Sequence, residues 1–162
     1  MLKKCLVPKG PLIAGLPVLL WGWAGEGGAR FVASFQQTWG RLGPAVTDRL
    51  LEYWHPVTSE GRWVVDGPAH LDGRPARTLY PGRHLEFSAS AVDEMPDALV
   101  GELIAHELAR AFLYAQDGDS HGRWDDASRQ RREALVDQLT RSWGFAPDSL
   151  REWAATRGVA LE

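Results

Sequence analysis

Residues 96–115 constrain the fold more than any other part of the chain, because they predict one long helix that is apolar on most sides. Pro96 opens the segment, and the first turn is where a helix tolerates a proline. Successive helical residues lie about 100° apart, and on that spacing apolar side chains cover most of the circumference. These side chains are Leu99, Val100, Leu103, Ile104, Leu108, Ala111, Phe112, Leu113 and Ala115. We therefore expect the helix to lie in the core.

Glu107 is the residue of this helix that packing explains least well. It falls between Val100 and Leu103 on the helical wheel, inside the apolar arc. A charge buried there without a partner costs several kcal/mol or changes its protonation state. We therefore expect an ion pair or a metal-bound water beside Glu107. The adjacent His106, taken alone, is typical of a core histidine, but a His-Glu pair inside such a helix indicates a site.

The residues that follow extend this pair to a recognisable motif. His106-Glu107-Leu108-Ala109-Arg110 resembles the HExxH motif of the zincins, a family of zinc metallopeptidases, with the last His replaced by Arg. The resemblance implies that His106 binds zinc and that Glu107 activates a zinc-bound water as the catalytic residue. It also implies that residues 85–90 form the strand that holds an extended peptide substrate near Leu85–Ser88.

A second motif lies further along the chain. Glu133 and Asp137 resemble the ExxxD pattern of the thermolysin-like zincins, the gluzincins. In that branch the Glu is a zinc ligand and the Asp forms a hydrogen bond with the first His, here His106. The alternative is a solvated helix face, on which the two acids pair with nearby arginines at the surface. The buried side would then carry Leu135, Leu139 and Trp143, and the arginines would be Arg129, Arg132 and Arg141.

Arg110 departs from the family pattern at the position of a metal ligand. A guanidinium stays protonated and has no lone pair to offer a metal, and its charge repels a dication. We expect its side chain to occupy the metal position and to form a bidentate pair with Glu133 or Glu107. The expected cofactor is therefore none, or zinc bound weakly with help from Glu102 or His121.

Three functions are compatible with these residues. The preferred one is a degenerate zinc-metallopeptidase-like protein with impaired or lost metal binding. The second is an active metal-dependent peptidase that uses His106, Glu133 and a third ligand such as His121. The third is a non-catalytic peptide- or protein-binding module, for which mutation of Phe87 on the predicted substrate strand would be the test.

The order of predicted elements gives the fold class. Helices come first, then short strands at residues 62–66, 76–80 and 83–88, then helices again, which indicates an α+β fold rather than alternating βαβ units. The resemblance implies a minimal zincin-like domain, with a small, mostly antiparallel sheet packed on the site helix and the helix after it. A Gly-rich break suggests an N-terminal arm at 1–28 and a single domain at 29–162.

Composition excludes several other classes. With 21 acidic and 18 basic residues the formal net charge is -3, which gives no reason to expect a nucleic-acid surface. A single cysteine, Cys5, excludes an intramolecular disulfide and a zinc site of clustered thiolates. The apolar run at 12–23 is interrupted by Pro17 and is too short to span a membrane. We therefore expect a cytoplasmic protein without a membrane span.

Overall fold

The computed structural model describes residues 12–13, 16–20, 26–54, 63–65, 73–79, 84–117 and 126–161. Within these ranges the elements are β1 (Leu12–Ile13), β2 (Leu16–Leu20), α1 (Glu26–Arg41), α2 (Pro44–Trp54), β3 (Trp63–Val65), β4 (Ala76–Leu79), β5 (His84–Phe87), α3 (Ala89–Asp93), α4 (Asp97–Asp117), α5 (Asp126–Ser142) and α6 (Pro147–Arg157). The predicted α+β class is confirmed.

The predicted long helix, α4, is the centre of the molecule. Helices α1, α2, α5 and α6 and strand β4 all pack against it. As a result the nine consecutive residues 103–111 are all buried, as expected of a helix that is apolar nearly all round. At 21 residues it is also long, but within the described ranges no helix combines the length and the apolar character needed to cross a membrane.

Helix α1 packs its apolar side against α4 and the β4–β5 hairpin. Phe31 and Phe35 are fully buried on that side, and the rings of Phe31 and Phe87 are 4.9 Å apart. The helix begins at Glu26, so the Gly-rich residues expected to break the chain form its first turn instead. The boundary predicted between residues 28 and 29 therefore falls inside a helix, because the apolar spacing that follows continues the turn.

The strands form two small groups. β4 and β5 are antiparallel, with Ala76 opposite Phe87 and Thr78 opposite Leu85, which is the predicted hairpin. The turn residues around 81–82 lie outside the described ranges. β2 pairs antiparallel with β1 and parallel with β3, and β3 lies close to β5. Strand β4 contacts α4, which brings Thr78 to the side of Glu107.

Helix α6 is attached to α4 at its first turn. Pro147 occupies the start of the helix, and Ala146 before it offers no capping side chain. Instead, Glu102 of α4 accepts a hydrogen bond from the backbone N–H of Ala146 at 2.6 Å. The helix ends at Gly158, whose φ of 65° is the left-handed conformation that favours glycine. This attachment orients α6 so that Arg151, in its second turn, reaches α5.

Candidate functional site

Three polar side chains lie within the buried stretch of α4. His106 is 1%, Glu107 0% and Arg110 8% exposed. A helix buried on all sides cannot turn such residues to water, so each needs a partner from a neighbouring element. The partners come from α5, α6 and β4. Together they form a charge cluster, which consists of His106, Glu107, Arg110, Glu133, Asp137 and Arg151.

Glu133 of α5 lies between the histidine and the arginine of α4. Its Oε1 is 2.9 Å from Nη2 of Arg110, and its Oε2 is 3.4 Å from Nε2 of His106. On the other side, Nη1 of Arg110 is 4.0 Å from Oε1 of Glu107. We expected a bidentate pair with one carboxylate. In the structure the guanidinium of Arg110 instead contacts one acid of each motif, Glu107 and Glu133.

The orientation of α5 decides between the two interpretations of the second motif. The side chains of Glu133 and Asp137 are only 14% and 13% exposed, whereas Leu135 is 51% exposed. Val136 and Thr140 are the buried residues of this helix. The solvated-face interpretation is therefore wrong for these two acids, because positions 133, 136, 137 and 140 share the face that turns toward α4.

The alternative interpretation expected Arg129, Arg132 and Arg141 of α5 to pair with Glu133 and Asp137, but the structure shows these arginines in contact with other groups. Arg129 pairs with Asp126, and Arg141 donates to Asp148 at 2.7 Å. Arg132 lies over the ring of Tyr114, with its Cζ 4.6 Å from the ring centroid. The acids of the second motif instead pair with arginines of α4 and α6.

Arg151 of α6 is a member of the cluster that the sequence did not identify. Its Nε and Nη2 donate to the two oxygens of Asp137 at 2.7 and 2.8 Å, which is a bidentate pair. Its Nη2 is also 3.5 Å from Oε2 of Glu133. The hydrogen bonds to Asp137 are the main cause that raises the pKa of Arg151. The resemblance implied a bond between Asp137 and His106, and the structure places Asp137 on Arg151 instead.

Thr78 of β4 is the second residue that the sequence did not reveal. Its hydroxyl lies 2.6 Å from Oε2 of Glu107 and 3.3 Å from the backbone oxygen of the same residue. A hydroxyl has one proton, so the shorter contact is the hydrogen bond that Thr78 donates. A threonine facing α4 from a short strand carries no sequence signal of this role, because the pairing of β4 with α4 is a tertiary contact.

Burial shifts the two neighbouring titratable groups of α4 in opposite directions. Burial, followed by the positive charges of Arg110 and Arg151, lowers the pKa of His106 well below its usual value. Burial also raises the pKa of Glu107, although Arg110 and the hydrogen bond from Thr78 act against this. Burial thus disfavours the charged forms of both groups. The guanidinium groups of Arg110 and Arg151 lie opposite the carboxylates of Glu133 and Asp137.

The remaining predicted site residues lie elsewhere. Glu102 binds the backbone of Ala146, and burial raises the pKa of its carboxyl. His121 lies outside the described residues. Among the described strands β4 packs against α4, and the predicted segment at Leu85–Ser88 pairs with β4. Phe87 in that segment is fully buried against Phe31, so its mutation would test folding rather than peptide binding.

The residues of the cluster do not fit a catalytic zinc ion. Such an ion takes three protein ligands, and here a guanidinium lies 2.9 Å from the carboxylate that would be one of them. A zinc-binding histidine also donates its second N–H to an acceptor. Neither ring nitrogen of His106 makes a hydrogen bond with any described residue. In the same ranges, no three His, Cys, Asp or Glu residues are grouped in a way that could hold a metal.

Comparisons with known proteins returned no match to a protein-family model, a curated protein or a solved structure. The resemblance to the zincins therefore depends on the two motifs of this chain, at residues 106–110 and 133–137.

Proposed function

We propose that this protein is a degenerate zinc-metallopeptidase-like protein, a pseudoenzyme in which the guanidinium of Arg110 replaces the metal. The observation that carries the proposal is the buried contact of 2.9 Å between Arg110 and Glu133, with His106 3.4 Å from the other oxygen of the same carboxylate. Arg110 thus contacts the acid that the resemblance makes a metal ligand. On this proposal the cluster joins α4 to α5 rather than activating water.

The charge balance of the cluster supports the proposal. A guanidinium supplies one positive charge where zinc would supply two, so one fewer negative charge can be neutralised in the same volume. Burial raises the pKa of Glu107 and so disfavours a further negative charge there. The predicted general-base role of Glu107 requires a metal-bound water, so on this proposal that role is lost even though the residue itself is retained.

The alternative of an active peptidase requires a dication near His106 and Glu133. Two unit charges about 4 Å apart repel by about 4 kcal/mol at an effective dielectric constant of 20, and a dication doubles that energy. Arg110, whose guanidinium cannot be deprotonated, would have to leave its contact with Glu133 before a metal bound there. Zinc bound through His121 and these two residues is therefore an outcome that metal analysis of the purified chain detects.

The experiment is metal analysis of the purified chain, prepared without chelators and with zinc added. We expect substoichiometric zinc in the wild type and about one zinc per chain in Arg110→His, because that change restores two His one helical turn apart. Adding Glu133→Gln to Arg110→His should abolish this binding. Arg129→His, which adds a histidine at the surface, is the matched control and should bind none.

Stoichiometric zinc in the wild type would contradict the proposal, provided that His106→Gln removes the metal. In that case Glu107→Gln should also abolish any peptidase activity of the zinc-loaded chain. Failure of Arg110→His to bind zinc, in a variant shown to be folded, would contradict descent of the cluster from a metal site.

Binding of an extended peptide near Leu85–Ser88 stays a prediction within this proposal. β5 already pairs with β4 on one side, and β3 lies close to it. A peptide could therefore add beside β5 only by displacing β3 or by pairing beyond its end. Amide hydrogen exchange across residues 85–88 with and without peptide tests it, and unchanged protection would exclude this mode.

A further inference from the structure

A cleft of about 400 Å³ lies apart from the charge cluster, between the loop before β4, the start of α3 and the end of α6. Its volume is in the range of small-molecule sites in proteins. Part of its lining is apolar, from Ala91, Val159 and the ring of Trp153. The rest consists of arginine and serine side chains with one glutamate.

Arg74 is the residue that gives this cleft a ligand preference. Its side chain is half-buried and lines the cleft, and no hydrogen-bond acceptor or acid in the described part of the chain contacts it. A half-buried guanidinium has lost part of its hydration, so an anion that enters the cleft gains more there than at an open surface. The planar fork of the group matches the two oxygens of a carboxylate.

The second arginine of the cleft is already neutralised. Arg157 pairs with Glu94, and its guanidinium lies over the ring of Trp153 with its Cζ 5.0 Å from the ring centroid. With this pair formed, the lining carries one net positive charge, that of Arg74. A monoanion balances this charge, whereas a phosphate dianion would leave one negative charge in the cleft uncompensated.

Two hydroxyls supply a further donor. The Oγ atoms of Ser88 and Ser90 are 3.2 Å apart, and Oγ of Ser88 accepts from the backbone N–H of Ala91 at 3.3 Å. One hydroxyl proton is used in the bond between the serines. The other remains free to be donated to an acceptor in the cleft.

We propose that this cleft binds a small monocarboxylate with an apolar substituent, its carboxylate held by Arg74 and the Ser88–Ser90 hydroxyls and its substituent against Val159 and Trp153. The site is independent of the proposed function, because none of these residues belongs to the charge cluster. The same chemistry is carried by a free organic acid and by the C-terminal carboxylate of a peptide.

The experiment is calorimetric titration of the full chain with N-acetyl-leucine, its uncharged amide, a tripeptide that ends in leucine and inorganic phosphate. For a ligand of about twelve heavy atoms we expect a millimolar Kd. The amide and phosphate should bind at least about tenfold more weakly than N-acetyl-leucine, because neither presents a planar monoanion. Tighter binding of the tripeptide than of N-acetyl-leucine would identify a peptide terminus as the source, and the reverse would identify a free acid.

The variants test the named contacts. Arg74→Gln should weaken binding of N-acetyl-leucine about tenfold and Ser90→Ala a few-fold, with unchanged thermal unfolding. Arg129→Gln, which removes an exposed arginine of α5, is the control and should leave the Kd unchanged. The proposal is overturned by absence of saturable binding, by equal binding of the amide or phosphate, or by an Arg74→Gln variant that binds like the wild type.

Discussion

Replacement of Arg110 by Met tests whether the guanidinium stabilises the fold as a substitute for a metal. Methionine has a comparable length and no charge, so the change removes the contacts to Glu133 and Glu107 but keeps most of the packing. Glu133 is then left largely buried, with Arg151 3.5 Å away as a remaining cation. The Coulomb attraction lost is about 4 kcal/mol for charges about 4 Å apart at an effective dielectric constant of 20.

Measured costs of breaking a buried ion pair by removing one partner are about 3–5 kcal/mol, because the other charge stays behind without compensation. Arg151 supplies part of that compensation, so we expect a loss of about 3 kcal/mol in the free energy of unfolding for Arg110→Met. Urea denaturation at pH 7, followed by circular dichroism, measures this loss. Arg129→Met removes an exposed pair with Asp126 and should change the free energy by less than about 1 kcal/mol.

The double variant Arg110→Met with Glu133→Leu tests whether the cost of Arg110→Met comes from the unpaired charge that it leaves on Glu133. Replacing both charges by apolar groups leaves no unpaired charge, so the double variant should be more stable than Arg110→Met alone. A cost below about 1 kcal/mol for Arg110→Met, or a double variant whose loss equals the sum of the two single losses, would refute the role assigned to the ion pair.

Three further predictions concern pH and hydrogen bonding. Because the pKa of His106 is lower in the folded chain than in the unfolded chain, the unfolded chain takes up this proton at a higher pH. As the pH falls below about 6.5, the free energy of unfolding should therefore decrease by about 1.4 kcal/mol per pH unit. His106→Gln should remove this pH dependence in urea titrations. Glu107 has a raised pKa in the folded chain, so the stability that its protonated form contributes is lost as the pH rises above about 4.5. The free energy of unfolding of Glu107→Gln should therefore rise relative to that of the wild type between pH 4 and 8. A difference between the two proteins that stays constant with pH would contradict the raised pKa. Thr78→Val removes the donor to Oε2 of Glu107 and should cost about 1–3 kcal/mol in thermal or urea unfolding. Thr156→Val, at an exposed position of α6, should cost less than about 0.5 kcal/mol.

The helices were predictable because their signals are local. The spacing of Phe31 and Phe35 and the apolar circumference of 97–115 depend only on residues a few positions apart, and the structure contains both helices. The start of α1 was not predictable in this way. The glycines at 27–28 indicate a break in the sequence, but they join the helix once Phe31 is packed. Tertiary packing overrides a weak local preference in such a case.

The rotation of α5 shows where a one-dimensional pattern stops being informative. Leu135 and Val136 are neighbours of similar apolar character, and each would give the helix a plausible buried face. The structure buries Val136 and exposes Leu135, which turns Glu133 and Asp137 toward α4 and α6. This rotation pairs the acids with Arg110 and Arg151, two residues in other helices.

The sequence alone determined that a buried helix must carry His106, Glu107 and Arg110 side by side, because helical spacing is a local property and burial of an apolar helix follows from its composition. It also indicated that Glu107 needed compensation, since an isolated buried charge is too costly. Only the packing of other elements against α4 reveals the partners: Thr78 of β4 donates to Glu107, and Glu133 of α5 contacts Arg110, the cation beside Glu107. Such contacts depend on how helices and strands pack together, and hydrogen bonds and ion pairs form only within a few ångströms.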